Sequence, residues 1–269
     1  MSKANGRKSI FVTGASSGIG AETARHFAGK GWFVGLYDID EAGLQARIAE
    51  IGADNCIAGR LDVRDRAEWT RAIESFSAAT DGQMTTLFNN AGIGRHGWFE
   101  DIAPDDSDAI IDINVKGVIN GVYAALPLLK ATKRARIVNV ASTAGFVGSP
   151  QLAVYSASKF AVRGFTEALD VELSPLDIKV TSLAPWFVET PILDMGQTED
   201  ANHKMRDGLS ENSVEIYPVS LAAEGAWEAA HGKKQHYGVG KLSNRTRFIS
   251  RYLPKMMRKQ LDKNLPKRS

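Results

Sequence analysis

The residues best suited to proton chemistry lie in the run YSASK at 155–159, where a phenol, Tyr155, and an ammonium, Lys159, stand four apart. On a helix this spacing puts both on one face, one turn from each other. A phenol with an ordinary pKa of ~10 is only about a thousandth ionised at neutral pH. For the tyrosine to act as a general base there, its pKa must fall by ~3 units, worth ~4 kcal/mol. A neighbouring ammonium supplies part of that, and the positive ring of an oxidised nicotinamide could supply more. Taken alone, the pair also fits a surface tyrosine and lysine, the lysine stem lying along the helix with its head in water.

A second group of residues sits near the start of the chain. In IFVTGASSGIGAE an apolar run leads into Gly14, Gly18 and Gly20 and then into a helical pattern. Glycines let backbone approach a pyrophosphate closely, and the helix that follows offers free N–H groups and the positive end of its dipole. The same glycines would also serve a plain strand-to-helix turn. The next apolar run, WFVGLYD, ends at Asp38, twenty residues after Gly18, where a dinucleotide fold places the carboxylate that accepts ribose hydroxyls. Asp38 could instead cap the helix that starts near Asp40. A 2′-phosphate would meet Asp38 with Asp40 and Glu41 next in sequence, and neither Ser17 nor Ile39 offers a cation. The expected cofactor is therefore NAD rather than NADP.

The elements that must position these groups are legible as an alternation. Strand-like runs occur at Ser9–Val12, Trp32–Tyr37, Cys56–Leu61, Thr85–Phe88, Arg136–Val140, Ile178–Leu183 and, more weakly, His236–Val239. Between them, 21–28, 41–50, 67–76 and 152–173 carry apolar residues at helical spacing. Repeated βαβ units of this kind predict an α/β fold, a parallel sheet with helices on both faces. No linker or repeat divides the chain, so 1–269 is expected to form one dinucleotide-binding catalytic domain. The polar stretch from Asp194 to Ser213 has no clear period and is expected to be a loop.

Taken together these pieces resemble the short-chain dehydrogenase/reductase family over nearly the whole chain. The matching motifs are TGASSGIG at 13–20, Asp38, LDV at 61–63, NNAG at 89–92, Asn114 in NVKG, Ser142 after IVNVAS, YSASK, and Thr190 after Pro185. The resemblance implies a Rossmann-like doubly wound sheet of about seven parallel strands in the order 3-2-1-4-5-6-7. It implies hydride transfer between a nicotinamide cofactor and a secondary alcohol or ketone, with Asn114, Ser142, Tyr155 and Lys159 catalytic. Tyr155 would exchange the substrate hydroxyl proton, and Lys159 would lower the tyrosine pKa and hold the nicotinamide ribose. Ser142 would bond the substrate oxygen, and Asn114 would anchor a proton exit toward the lysine. The cofactor would lie along Gly14, Ser16, Ser17, Gly18, Ile19 and Gly20, with Asp38 at the ribose and Asp62 and Val63 at the adenine. Asn90, Ala91 and Gly92 would border it, and Pro185, Trp186, Val188 and Thr190 would meet its nicotinamide end. Family members commonly have glycine directly after that proline; here the residue is Trp186, which leaves the path of this loop open.

Substrate contacts are expected from Ser142, Thr143, Ala144, Leu152, Trp186, Phe187 and Leu193. With Val147, the apolar members of this set would favour a hydrophobic or aromatic alcohol over a sugar. Trp186 and Phe187 are read as a wall at the cofactor or substrate rather than as core filler. His96 and Trp98 could reach the pocket or lie in solvated loop. The segment 190–217 is the expected substrate loop. The five histidines show no metal-ligand spacing, and no metal is expected. A nucleotide sensor without chemistry, an NADPH-dependent ketone reductase and a methyltransferase are alternatives on related sheets. The sensor and the methyltransferase have no need of Tyr155, Lys159, Ser142 and Asn114 together.

Composition bounds what else the chain can do. An apolar fraction of 43% over 269 residues is that of a globular protein. The single cysteine, Cys56, excludes an internal disulfide, and no apolar leader opens the chain, so a cytoplasmic location is expected. Uninterrupted apolar runs are only a few residues long, and no membrane span is expected. The net charge of +2 is uneven: 241–269 hold ten Lys/Arg against Asp262, a net of +9, which leaves −7 for 1–240. Phe248, Ile249, Tyr252, Leu253, Met256, Met257 and Leu261 fall on a rough helical stripe in this tail, with Pro254 forcing a break or a new helix start. The tail could pack over the pocket or a partner subunit, contact an anionic membrane surface peripherally, or bind nucleic acid, the last not expected. The resemblance implies a homodimer or homotetramer. Its usual short glycine-rich ending is absent here, so those contacts do not carry over directly.

Overall fold

β-branched and aromatic residues alternate in side-chain direction along each apolar run, and in every described strand except Cys56–Arg60 both directions are largely buried. The computed structural model describes residues 2–196 and 204–263; part of the expected substrate loop, including His203, and the last six residues of the tail lie outside the described residues. The described elements run β1 (Ser9–Thr13), α1 (Gly18–Gly29), β2 (Phe33–Asp38), α2 (Glu41–Ile51), β3 (Cys56–Arg60), α3 (Arg66–Ala79), β4 (Thr86–Asn89) and α4 (Pro104–Ile111). A π-helical turn (Asp112–Lys116) leads into α5 (Gly117–Lys130), followed by β5 (Ala135–Val140), α6 (Ala153–Leu173) and β6 (Ile178–Pro185). Then come α7 (Met205–Glu211), α8 (Val219–His231), β7 (His236–Val239), α9 (Gly240–Tyr252) and α10 (Pro254–Lys263).

Among the described residues the strands form one parallel sheet of seven, in the order β3-β2-β1-β4-β5-β6-β7. This is the expected order. The strand order reverses between β1 and β4, and in such sheets ligands bind beyond the strand ends at that crossing point. Ile10 and Val12 of β1 face a core built with Ala24 and Phe27 of α1, Leu44 of α2 and the alanines of α8. Phe11, between them, faces a second core with Trp69 and Phe76 of α3 and Val122 and Leu129 of α5. Phe11 stacks on Tyr37 with ring centroids 4.1 Å apart and touches Trp69 at 5.5 Å. Burying each such ring contributes about 1.5–3 kcal/mol, so both faces of β1 hold the strand in register.

Two helices, α7 and α8, were not legible in the sequence. The stretch read as an aperiodic loop contains α7, whose two buried residues, Met205 and Leu209, are four apart. A helix this short leaves no pattern to detect. α8 escapes because its buried residues are alanines, which look neutral beside larger apolar side chains. α4 and α5 run together through the π turn, and Pro104–Lys130 has the length and apolar composition of a membrane span although its uninterrupted apolar runs are short. Val122, Ala125 and Leu129 of this helix pack into the second core, so burial within the fold accounts for its composition.

Candidate active site

The loops at the carboxyl ends of β1, β2, β4, β5 and β6 enclose a cleft of about 550 Å³. Its floor is the glycine loop. Gly14 and Gly18 hold φ of +65° and +52°, the left-handed region that favours glycine. A Cβ on Gly14 would lie 2.8 Å from Asn90 Nδ2, and one on Gly20 would lie 2.0 Å from the Gly14 carbonyl oxygen. Gly20 itself does not line the cleft; it lets α1 pass close under the loop. Ser17 is the N-cap of α1, but its side chain makes no capping bond, whereas Asp40 and Asp65 cap α2 and α3. The first N–H groups of α1 therefore lie beside Ser16, Ser17, Gly18 and Ile19 at the cleft wall without a side-chain cap. A cradle that any Cβ would fill, next to an uncapped helix start, fits the phosphates of a dinucleotide.

Asp38 closes this end of the cleft, accepting the Ser16 N–H at 3.0 Å and the Asp40 N–H at 3.1 Å. Each of its oxygens keeps further acceptor capacity toward the cleft. Asp62 is gripped by Arg64, whose Nη2 lies 2.6 Å from Oδ2, and this bond holds the carboxyl below its usual pKa. Arg64 lines the cleft and is a cation that the sequence reading did not weigh. The Val63 carbonyl accepts from Trp69 Nε1 at 3.0 Å and Asn120 Nδ2 at 3.1 Å, which fixes the orientation of its peptide. Asn90 ties β4 to β1: its N–H donates to Thr13 Oγ1 at 2.9 Å and its Nδ2 to the Thr13 carbonyl at 2.9 Å. Asn90, Ala91 and Gly92 all border the cleft.

Tyr155 and Lys159 project from the first two turns of α6, with the Lys159 Nζ 5.5 Å from the centre of the phenol ring. Lys159 Nζ donates to the Val140 carbonyl at 3.0 Å, and burial pulls its pKa down to about 8. Burial pushes the Tyr155 phenol up to about 12, opposed by a hydrogen bond with Ser142. Desolvation of the phenolate is the larger of the two effects. Ser142 also caps the turn after β5, accepting the Ala144 N–H at 3.1 Å.

Asn114 lies behind the cleft rather than in its wall, 1% exposed within the π turn. Its Oδ1 accepts the Ile93 N–H at 2.9 Å, and its Nδ2 donates to the Ile93 carbonyl at 2.9 Å and to Ser158 Oγ at 3.1 Å. Ser158 Oγ in turn donates to the Tyr155 carbonyl at 2.7 Å. The amide thus clamps the loop after β4 to the turn of α6 that carries Tyr155.

On the substrate side, Thr143, Ala144, Leu152, Phe187 and Leu193 line the cleft with Pro185, Trp186, Val188 and Thr190. Trp186 is half-buried; its Nε1 donates to the Glu215 carbonyl at 3.2 Å, and its ring meets Phe187 edge-on at 5.1 Å. Thr190 is buried, and a Cβ on Gly18 would lie 3.2 Å from its Cγ2, so the segment after β6 packs onto the start of α1. Val147, His96 and Trp98 are not among the lining residues, and neither is any residue of α9 or α10. Among its described residues the tail therefore does not cover the pocket: α9 lies on β6 and β7. Met195 and Met205 do line the cleft and were missed, Met195 so close to Gly94 that a Cβ there would meet its Sδ at 2.5 Å. They sit in the polar stretch whose lack of a period hid them. Among the described residues, no three His, Cys, Asp or Glu side chains are placed to hold a metal ion.

A family model described as short chain dehydrogenase matches residues 8–201. The chain is a short-chain dehydrogenase/reductase. An oxidoreductase, UcpA, from Salmonella typhimurium is 39% identical over 190 residues, covering 70% of this chain and 72% of that protein. A 3-alpha-(or 20-beta)-hydroxysteroid dehydrogenase from Mycobacterium tuberculosis is 38% identical over 188 residues, covering 70% and 71%. The crystal structure of a short-chain dehydrogenase/reductase from Burkholderia phymatum in complex with NAD superposes with a TM-score of 0.82 at 26% identity, covering 93% of this chain and 95% of that one. This short-chain dehydrogenase/reductase is thus an oxidoreductase of alcohols and ketones that uses a nicotinamide cofactor.

Proposed function

We propose that the protein is an NAD-preferring dehydrogenase that interconverts a hydrophobic secondary alcohol and its ketone, with Tyr155 as general base and acid. The observation that carries this reading is the meeting of Tyr155, Ser142 and Lys159 between the glycine cradle and an apolar pocket. A bound nicotinamide supplies the hydride acceptor or donor and, when oxidised, a positive charge near the phenol. Ser16, Ser17, Gly18 and Ile19 hold the phosphates, Asp38 the adenosine ribose, and Val188 and Thr190 the carboxamide. Ser142 donates to the substrate oxygen where negative charge develops, and the buried ammonium of Lys159 stabilises a phenolate beside it. Asn114 keeps Ile93 and the Tyr155 turn in place.

Preference for NAD rests on Asp38, followed by Asp40 and Glu41. Arg64, the cation that lines this region of the cleft, is already paired with Asp62. The preference expected is at least tenfold in kcat/KM, about 1.4 kcal/mol. Leu152, Phe187, Leu193, Met195 and Met205 make the substrate wall apolar, and the relative that acts on hydroxysteroids is in keeping with a large hydrophobic alcohol. A screen of secondary alcohols and ketones with both cofactors, followed by nicotinamide absorbance, tests the reading. Turnover should require hydrophobic substrates and fall at least a hundredfold in Tyr155→Phe, with NAD binding retained. Equal turnover by the variant, or a preference for NADP, would show the assignment to be wrong.

A further inference from the structure

The cationic tail is anchored on one side and open on the other. Ser243 and Ile249 of α9 are buried, and Ser243 Oγ donates to the Ala184 carbonyl at 2.7 Å, which fastens the helix to β6. The opposite face carries Phe248 and Tyr252, 57% and 62% exposed, with ring centres 4.9 Å apart. Leu253 and Met256, at the junction with α10, are also exposed, and Met257 is the buried residue of α10. Around this apolar centre stand Lys241, Arg245, Arg251, Lys255, Arg258, Lys259 and Lys263, all exposed. Asp262 pairs with Arg258 at 3.0 Å, and among the described residues no carboxylate pairs with the other six.

We propose that this face of α9 and α10 docks the enzyme on an anionic lipid surface. The charge alone would suit any polyanion; the apolar centre is what selects among them. A phosphate backbone gains nothing from Phe248, Tyr252, Leu253 and Met256 standing between the cations. At a bilayer surface those side chains enter the boundary between headgroups and acyl chains while the lysines and arginines stay with the headgroups. The acidic balance of 1–240, a net of −7, opposes adsorption through the rest of the molecule, so contact is confined to the tail. α9 packs on the turn Thr143–Gly145 that follows Ser142, so docking holds the membrane one helix away from the segment that lines the substrate side of the cleft.

Flotation of the full-length protein with vesicles tests this. It should bind vesicles of phosphatidylcholine mixed with phosphatidylglycerol and remain free of vesicles of phosphatidylcholine alone. Replacing two cations, Lys255→Gln with Lys259→Gln, should weaken binding about thirtyfold, since each basic residue near an anionic surface contributes about fivefold. Phe248→Ser with Tyr252→Ser should weaken it at least tenfold while leaving turnover of a water-soluble alcohol unchanged. All four positions are exposed, so the fold is not at stake. No binding to the mixed vesicles, or full binding by the aromatic variant, would overturn the proposal. So would an aromatic variant that loses a subunit contact in light scattering yet floats as well as the unaltered chain.

Discussion

Replacing Lys159 by methionine should change stability in a way whose sign and size follow from where the ammonium is held. Burial lowers the Lys159 pKa from 10.5 to about 8. A base whose folded pKa lies below its unfolded value disfavours the native state while both forms are charged. The penalty is complete below about pH 8 and is relieved as pH rises toward 10.5, because only the unfolded chain still binds the proton in that window. The difference of ~2.5 units corresponds to ~3 kcal/mol. Methionine has a similar shape and no charge, so the variant escapes the penalty but leaves the Val140 carbonyl without its donor, a cost of about 1–3 kcal/mol that does not depend on pH. The diagnostic quantity is therefore how the difference between the two proteins changes with pH. Urea denaturation of both, from about pH 7 to about pH 10.5, should show the unaltered chain gaining ~3 kcal/mol on the variant. Tyr155, at about 12, titrates above most of this window, and other groups cancel in the comparison. A difference that stays flat, or that moves against the unaltered chain as pH rises, would refute the placement of a desolvated ammonium in this site.

Two further substitutions probe the cradle and the wall. Gly20→Ala puts a methyl group 2.0 Å from the Gly14 oxygen and 2.6 Å from Asn90 Nδ2, so it should lower Tm by several degrees and weaken NAD binding at least tenfold in a fluorescence titration. Trp186→Gly removes the bond to the Glu215 carbonyl and the edge contact with Phe187; because the ring is only half-buried, Tm should change little while the KM for NAD rises or the range of accepted alcohols shifts. Lowered Tm with unaltered kinetics would return that ring to a packing role.

The sheet was legible because Ile10, Phe11 and Val12 are all apolar in a run too short for a buried helix, and because the runs recur with helical patterns between them. The place of Asp38, the glycines and the tyrosine–lysine pair could be read for a similar reason: fixed spacing along one strand end or one helix face translates directly into proximity. What the sequence hid depended mostly on contacts between distant segments. Nothing near Asn114 shows that its amide grips Ile93 in the loop after β4. Met195 and Met205 lie in a stretch without a period, and they reach the cleft only because Met205 N–H bonds the Met195 carbonyl at 2.9 Å and brings both ends of the segment together.

The π turn at Asp112–Lys116 has a consequence for how much length this region can gain or lose. One extra residue in a helix rotates everything beyond it by about 100° about the axis. α4 packs against α6, whereas α5, continuing the same rod, packs against α3. The inserted turn supplies the change of phase that lets a single helix serve two neighbours on different sides. Deleting one residue from this turn would restore a regular helix and swing either the α3-facing stripe of Val122 and Leu129 or the Asn114 clamp away from its partner. Core packing and the positioning of Tyr155 are thus tied to the same count of residues, and the chain cannot shorten there without giving up one of them.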